Sequence, residues 1–339
     1  MGLYPCYYRE TGGATVDIIL QDENGVDVMI IDPVSFDLAL GVGEHSENDF
    51  ELSVPDKAPI IKSGMRVYIE GTAYGGIITR LKVNSGYTWC GQTWSGILSN
   101  KVVLGQSDGE NLVLSEEIHS TLRKLIAKYD LQSLFEVESG ACNLTPKRYE
   151  VPLYATLYDA IHGFISASGG KLLIRYNGAK AVLSVIPLKN WAEDEEFDTN
   201  LVNLTADMEY LPVNHLVCRG TGQKDERIAL ELYLDAKGNV SERQTFFGLQ
   251  EHAEYYNYTS ADKDTLIKDG TKRLKDYWKE ATKLSVELTD QADRYDIGDI
   301  VGAVDDRTGL TVSAPITKKV ITIDKNGVPK VTYTTGDKQ

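Results

Sequence analysis

Residues 64–98 decide the fold, and they read GMRVYIEGTAYGGIITRLKVNSGYTWCGQTWSGIL. Apolar and polar residues alternate from 66 to 70, which is the period of two expected of a strand with one buried face. Residues 71–76 contain three glycines and interrupt the pattern as a turn does. Strand-like residues resume over 77–83, which is rich in β-branched side chains, and again over 87–94. The stretch therefore predicts an antiparallel meander of three strands joined by tight turns.

The closing segment GQTWSGIL, residues 91–98, is the most distinctive part of this stretch. Trp94 stands between small residues, and Gly96 follows it two positions later. This pattern suits a ring folded over the end of a barrel, with a glycine that lets another backbone segment pass close by. The alternative is an ordinary core tryptophan beside a β-bulge. Both interpretations place the segment within a β-domain.

Several motifs of the chain resemble the N-terminal region of siphovirus-type phage tail hub proteins, which lie at the tail tip or baseplate. Residues 64–98 contain G-x-x-V-x-I-x-G, G-G-I-I and G-x-T-W-x-G-I-L, and NHLVCRG and YDIGDIV follow at 214–220 and 295–301. Together these motifs span most of the chain. The resemblance implies a structural, trimeric hub on the tail tube rather than a free enzyme. The positions that carry it are Gly64, Gly76, Trp94, Gly96, Asp296, Gly298 and Asp299.

The pattern of the whole chain predicts a β-rich α+β fold. We expect two tail-tube-like β-barrel or sandwich domains with an α/β insertion between them. The first β-domain is predicted at 1–102, the insertion with an acidic linker at 103–200, and the second β-domain with a flanking helix at 201–339. Three helices are predicted from apolar residues that recur on one face, at 115–129, 156–167 and 260–281, with Ser115 and Ser260 as the N-cap residues of the first and third.

A short internal echo suggests that the two β-domains are copies of one unit. Residues 64–69 resemble residues 298–303, because in each a glycine opens a strand with apolar alternation. Ile78-Thr79-Arg80 begins 14 residues after the first glycine, and Ile316-Thr317-Lys318 begins 18 residues after the second. A chance match is the alternative for so short a pattern. Twin domains in three chains would give six similar units, which can adapt a six-fold tail tube to a three-fold spike. The resemblance extends to the hub of contractile-tailed phages and implies the same arrangement here.

The amino-acid composition limits the classes of partner that the protein can bind. The formal net charge of −15 argues against stable nucleic-acid binding, because that affinity comes largely from basic side chains on phosphates. An acidic channel is compatible with DNA as a transient passenger, and plain solubility is the alternative explanation of the charge.

The acidic run at 191–198 is interpreted as a solvated linker, with a cation site as the alternative. Without an 18-residue apolar run or a signal peptide, we expect no membrane span and synthesis in the bacterial host cytoplasm.

No pattern of catalytic or metal-binding residues stands out, so we expect no enzyme activity, no cofactor and no metal site. The five histidines are scattered outside any H-E-x-x-H motif, and the four cysteines form no C-x-x-C. Asp296 and Asp299 flank Gly298 at a strand start, where aspartate accepts backbone N–H bonds. One alternative is a cell-wall hydrolase that uses acids such as Asp296 or Glu254. Another is a carbohydrate-binding tail module that uses the tyrosine-rich loop at 255–258.

The resemblance also implies partners and a location. Such a hub forms a homotrimer and contacts the tail tube protein and the distal-tail or baseplate ring proteins. Many tail hubs carry a hydrolase after the hub region, whereas this sequence ends shortly after its last predicted strand. We therefore expect the spike or lysin to be a separate chain. The expected location is the virion tail tip or baseplate of a phage, a prophage remnant or a tail-derived bacteriocin, either in a contractile injection system or in a non-contractile tail.

Overall fold

The computed structural model describes residues 16–43, 46–55, 61–84, 86–105, 111–192, 202–223, 226–290, 293–305 and 310–336. The described strands are β1 (Ile18–Gln21), β2 (Asp27–Ile31), β3 (Ser35–Gly41), β4 (Asp49–Val54), β5 (Arg66–Tyr68), β6 (Gly75–Val83), β7 (Tyr87–Thr93), β8 (Val113–Leu114), β9 (Phe135–Val137), β10 (Tyr149–Glu150), β11 (Gly170–Tyr176), β12 (Ala181–Pro187), β13 (Val202–Met208), β14 (His215–Arg219), β15 (Ala229–Leu234), β16 (Val240–Ser241), β17 (Ala253–Asn257), β18 (Thr282–Asp290), β19 (Ile300–Asp305), β20 (Leu310–Asp324) and β21 (Pro329–Thr335). The described α-helices are α1 (Trp94–Ser99), α2 (Ile118–Lys128), α3 (Leu157–Ala167) and α4 (Lys263–Ala281). These elements confirm the predicted β-rich α+β class.

Two compact units divide the chain. The first comprises residues 1–203 and 286–336, and the second comprises residues 204–285 with 337–339. The C-terminal strands from 286 onward thus pack in the same unit as the first half of the chain. The ranges 1–102, 103–200 and 201–339 divide the chain by sequence pattern rather than by compactness, and they stay a prediction. Part of the acidic linker, residues 193–200, lies outside the described residues.

The first unit is built on one antiparallel sheet. Its strand order is β18-β21-β20-β3-β4-β7-β6-β5-β1-β2, with β19 beside β20. The predicted meander of residues 64–94 is present in it as β5, β6 and β7. Alternate residues of β3 and β4 are buried, and Phe36, Leu38, Phe50 and Leu52 are among them. The alternation of apolar residues in the sequence therefore marks the face that packs in the core.

Glycines let β6 and β7 approach closely within the meander. A Cβ atom on Gly76 would lie 1.9 Å from the carbonyl oxygen of Gln92. A Cβ atom on Gly91 would lie 2.2 Å from the carbonyl oxygen of Ile77 and 2.4 Å from the ring of Phe50. Because no side chain fits in these gaps, the two positions are fixed by space rather than by backbone conformation.

The third strand of the meander ends earlier than the sequence predicts. β7 stops at Thr93, and Trp94 opens the short helix α1. Thr93 is the N-cap residue, and its hydroxyl accepts a hydrogen bond from the Gly96 amide at 3.2 Å. A threonine that caps an N–H group without a partner inside the helix explains why a helix begins at this point.

The three predicted helices are present, with different starts. α2 is capped by Glu117 rather than Ser115, because the Glu117 carboxylate accepts hydrogen bonds from the amides of His119 and Ser120. α3 begins after its N-cap residue Thr156, as predicted within one residue. α4 begins at Lys263 rather than at Ser260.

The insertion is a small α/β layer within the first unit. β11 and β12 form a hairpin, and β9 lies parallel to β12. α3 packs against β11, and its apolar residues on one face are buried, among them Leu157, Ala160, Ile161 and Phe164. The insertion therefore has its own helix-on-sheet core, as the sequence predicts.

The second unit has a four-stranded sheet in the order β16-β15-β14-β17, and β13 lies beside β18. Leu266 and Leu274 of α4 pack against Leu216 and Leu232 of the sheet. The tyrosine-rich segment, predicted as a loop, lies mostly in β17, which runs parallel to β14. None of the described helices is long and apolar enough to cross a membrane.

We expect Gly76→Ala to destabilise the first unit, because the new Cβ must push back the Gln92 backbone. The expected loss is about 3 kcal/mol or more in the free energy of unfolding, measured by urea titration with circular dichroism. The matched control is Gly86→Ala in the turn between β6 and β7, where an added Cβ would meet no other atom within 4 Å. Its expected effect is below about 1 kcal/mol. Equal effects of the two substitutions would contradict the steric argument.

Candidate functional site

Trp94 lies in the core of the first unit. It is 1% exposed and stacks on Tyr176 of β11, with ring centroids 4.4 Å apart and an interplanar angle of 13°. Gly96, on the first turn of α1, is equally constrained, since a Cβ there would lie 2.1 Å from the carbonyl oxygen of Asn48. The two motif residues thus hold α1 against both the insertion hairpin and the chain before β4.

The hydroxyl group of Tyr176 joins the insertion to the first strands of the sheet. It donates a hydrogen bond to Gln21 Oε1 at 2.7 Å and accepts one from an Arg66 guanidinium nitrogen at 2.8 Å. Tyr68 contacts Tyr176 edge to face at 4.8 Å and donates to Asp27 at 3.0 Å. Burial, with the hydrogen bond to Asp27 as a smaller cause, raises the pKa of Tyr68, so its hydroxyl stays protonated as a donor.

Asp296, Gly298 and Asp299 form a tight turn before β19. Gly298 has a φ of +97°, a left-handed conformation that glycine adopts without strain. The Asp299 amide donates to the Asp296 carbonyl oxygen at 3.1 Å, and the Asp296 amide donates to Asp299 Oδ2 at 3.1 Å. The turn-forming role expected of these aspartates is present in this geometry.

The same turn holds a buried ion cluster that the sequence did not predict. Lys171 of β11 is 6% exposed, and its ammonium group donates to Asp296 Oδ2 at 2.8 Å and to Asp299 Oδ2 at 2.7 Å. Asp299 is fully buried, and its carboxylate also accepts hydrogen bonds from the Lys189 amide and the Trp191 indole. A charge that is removed from water this completely must be paired, and Lys171 supplies the pairing charge.

A second buried lysine extends the cluster along β20. Lys319 is 6% exposed, pairs with Asp293 at 2.5 Å and donates to the Tyr295 carbonyl oxygen at 3.1 Å. Asp293 also accepts a hydrogen bond from Tyr333 at 2.9 Å and contacts the hydroxyl of Tyr74. Burial and then the charge of Asp293 raise the pKa of Tyr74 well above its usual value. The cluster thus joins the meander, the insertion and the C-terminal strands.

The sequence contains a signal for one of these lysines and not for the other. Lys319 is in phase with Ile321 and Ile323 on β20, so strand alternation places it on the buried face, where a lysine needs a partner. Lys171 stands at the start of a strand with no clear alternation, since Leu172 and Leu173 are both half-buried. Its partner lies 128 positions away, at Asp299.

The arrangement offers little to acid–base chemistry. Asp299 is fully buried, and its two oxygens accept hydrogen bonds from the Lys171 ammonium group and the Lys189 amide. Glu254, in the second unit, contacts the hydroxyl of Tyr277 and pairs with Arg273 at 2.6 Å. The hydrogen bond from Tyr277, followed by the smaller effect of Arg273, holds the Glu254 pKa below its usual value, opposite to what a general acid needs. No described group of three or more His, Cys, Asp or Glu residues is arranged to hold a metal ion.

The internal echo is present in the backbone hydrogen bonds. We call the segment around Gly64 and β6 the first copy, and the segment around Gly298 and β20 the second copy. In each copy the amide of a glycine with positive φ donates a hydrogen bond to the carbonyl oxygen of an isoleucine of β6 or β20. The amide of that isoleucine donates a hydrogen bond back to the carbonyl oxygen of the residue after the glycine. The pairs are Gly64 with Ile78, at 2.8 and 2.9 Å, and Gly298 with Ile316, at 2.9 and 2.8 Å. The glycines have φ values of +89° and +97°, and the strand register shifts directly after each isoleucine. Such agreement makes a chance match a poor explanation.

The correspondence extends across three strands. The first copy contains β6, β7 and β4, which match β20, β21 and β18 of the second copy. Their paired residues form equivalent rows, which are Arg80, Cys90 and Glu51 in the first copy and Lys318, Thr334 and Glu287 in the second. The sequences at the ends of these rows are Glu51-Leu-Ser and Glu287-Leu-Thr. Sequence analysis missed this second echo, because three residues carry too little information without the register.

Replacing the buried lysine of the cluster should cost much more stability than replacing an exposed one. We expect Lys171→Met to lower the free energy of unfolding by about 3–5 kcal/mol, because it leaves the Asp299 charge buried without its partner. The matched control is Lys124→Met, whose pair with Glu116 is largely exposed and should contribute less than about 1 kcal/mol. Adding Asp299→Asn to Lys171→Met should recover part of the loss. Denaturant titration measures all three variants, and equal losses for Lys171→Met and Lys124→Met would contradict the burial argument.

Comparison with known proteins gives a match in structure only. No protein-family model matches the sequence, and no curated protein matches it. The 43 kDa tail protein of prophage MuSo2 from Shewanella oneidensis is 10% identical, with a TM-score of 0.52 over 96% of this chain and 98% of that one. A chain of the p2 virion baseplate in its activated conformation is also 10% identical, with a TM-score of 0.52 over 96% and 100%. A chain of the phage P2 baseplate, activated with Ca, is 10% identical and has a TM-score of 0.50 over 96% and 100%.

These similarities run from one end of the chain to the other and not through a single motif. They confirm, at the level of the fold, the resemblance that the sequence motifs carry. Over nearly its whole length this chain has the fold of phage tail and baseplate proteins.

Proposed function

We propose that this protein is a structural, non-enzymatic hub at the distal end of a phage or phage-like tail. Three copies form a ring that adapts the six-fold tail tube to a three-fold central spike and lines the channel between them. The observation that carries the proposal is the repeated set of backbone hydrogen bonds around Gly64 and Gly298.

The symmetry argument follows from this repetition. The two copies share strand order, register shift and turn geometry, although their side chains differ. One copy falls within the range 1–102 and the other within 201–339, with the insertion at 103–200 between them. Three chains then present six units of similar backbone shape, which is the number that a six-fold tube requires on its docking face.

The buried ion cluster supports a structural role for the motif residues. Asp296, Gly298 and Asp299 form a turn around the Lys171 ammonium group, and the Asp299 carboxylate is fully buried in protein contacts. The cluster fixes the insertion to the turn before β19 in the C-terminal part of the chain. A cell-wall hydrolase that uses Asp296 or Glu254 gains no support from these surroundings.

The proposed partners are other tail proteins. They are the tail tube protein above the ring, the distal-tail or baseplate ring proteins around it, and a separate spike or lysin chain below. DNA passes through the channel only transiently, as the net charge of −15 favours. The proposed location is the tail tip or baseplate of the virion or injection system.

Particle imaging tests this function directly. We expect a reconstruction of tails that contain this chain to place three copies at the distal end of the tube, where the symmetry changes from six to three. Purified protein should also fail to release products from peptidoglycan. Six copies along the tube, one copy, or no copy in the particle would each contradict the hub proposal, and peptidoglycan turnover that is lost in Glu254→Gln would replace it with the hydrolase.

A further inference from the structure

The long strand β20 has two different neighbours along one edge. Residues 310–315 pair with β19, and residues 318–324 pair with β3, which belongs to the other copy. The second half of β20 is therefore the junction between the two copies inside one chain. The pairing is antiparallel and continues for seven residues, from Lys318 opposite Gly41 to Asp324 opposite Ser35.

β6 is the counterpart of β20, and its corresponding edge is only half used. Residues 75–77 pair with β5, as the first part of β20 pairs with β19. Residues 80–83 pair with β7 on the opposite edge, and within the described part of the chain no strand lies beside them on the edge that β5 occupies. We name residues 80–83 the open edge of β6.

The side chains of the open edge are exposed where their counterparts are buried. Leu81 is 40% exposed and Val83 is 60% exposed. Lys319 and Ile321 occupy the equivalent places on β20 and are 6% and 0% exposed. Two apolar side chains on a strand edge without a neighbour are an interaction surface rather than ordinary surface residues.

We propose that the open edge of β6 pairs with β13 of a second copy of this chain, in the register that β20 and β3 use within one chain. This inference rests on the proposed hub function, whose ring it describes at the level of residues. β13 is the expected partner because it lies beside β18 as β3 lies beside β4, and β18 is the counterpart of β4.

The register follows from the hydrogen bonds of the two copies. The Glu209 amide donates to the Ala281 carbonyl oxygen at 2.8 Å, and continuing this antiparallel pairing places Leu204 opposite Val286. In the first copy Leu38 lies opposite Phe50, the counterpart of Val286, so Leu204 corresponds to Leu38.

Leu38 itself pairs with Ile321, the counterpart of Val83. Between chains, this places Val83 opposite Leu204 and Lys82 opposite Thr205. The same spacing places Arg80 opposite Asp207, so residues of opposite charge occupy paired positions in the two strands. At Leu81 the proposed junction between chains has an apolar residue. The equivalent position in the junction within one chain is Lys319, which pairs with Asp293.

Disulfide trapping tests the register. Lys82→Cys with Thr205→Cys, oxidised in the purified full chain at roughly 100 µM, should give covalent dimers and trimers on a non-reducing gel. The matched control is Leu81→Cys with Thr205→Cys, which moves one thiol to the opposite face of the strand and should cross-link at least about tenfold less. Each single variant controls for the native cysteines.

Substitution tests the apolar contact without relying on cysteine chemistry. Val83→Asp should weaken association about tenfold or more, measured by light scattering over a concentration series, because it places a charge in the apolar junction. The matched control is Val28→Asp on β2, where the native valine is 52% exposed and lies outside the proposed junction. Both variants should retain the thermal unfolding profile of the parent chain.

The outcomes separate this inference from the hub function itself. A trimer that forms but cross-links through the control pair, or that tolerates Val83→Asp, overturns the proposed edge and leaves the hub function standing. If the chain stays monomeric at roughly 100 µM, the open edge of β6 does not join two copies by itself, and the proposed contact is overturned. The copy number in the tail tests the hub function separately.

Discussion

The first unit depends on a lysine that is almost completely removed from water. Lys171 reaches from the insertion to Asp296 and Asp299, which lie more than 120 positions later in the chain. Because an unpaired charge at such a depth is costly, Lys171 and Asp299 depend on each other, and the more exposed Asp296 adds a second carboxylate to the pair. Lys319 and Asp293 repeat the principle a short distance away. The strands of the meander, the hairpin of the insertion and the C-terminal strands are therefore held in one arrangement by charge as well as by apolar packing.

Around this cluster the chain uses one backbone design twice. Gly64 and Gly298 adopt the same left-handed conformation, bond to equivalent isoleucines and precede the same register shift. The side chains that follow are different, since Leu81 stands where Lys319 stands in the other copy. Two strand edges pair through the hydrogen bonds of their backbones, and the side chains decide which edges pair. The proposed ring depends on both features, the similar backbones and the different edges.

The described contacts of the motif residues are those of turns and of core packing. The aspartates of the turn accept hydrogen bonds from their own backbone and from Lys171, and Trp94 stacks on Tyr176 in the core. The glycines leave room for carbonyl groups that pass too close for a side chain. Each of these is a constraint on shape. The chain also shares its fold with phage tail and baseplate proteins.

Local sequence patterns were enough to predict the strand meander, the three amphipathic helices within a few residues, and the link between Gly64 and Gly298. A period of two, an apolar stripe and a turn glycine can each be recognised from residues that are close together in the sequence. The start of α2 was harder to predict, since Glu117 and not Ser115 supplies the capping side chain. Folding in three dimensions is what brings Lys171 to Asp299, lets Trp94 open a helix against Tyr176, and joins β20 to β3. Those contacts join residues far apart in the chain, and no local pattern records which distant partner will satisfy a buried charge, a ring or a strand edge.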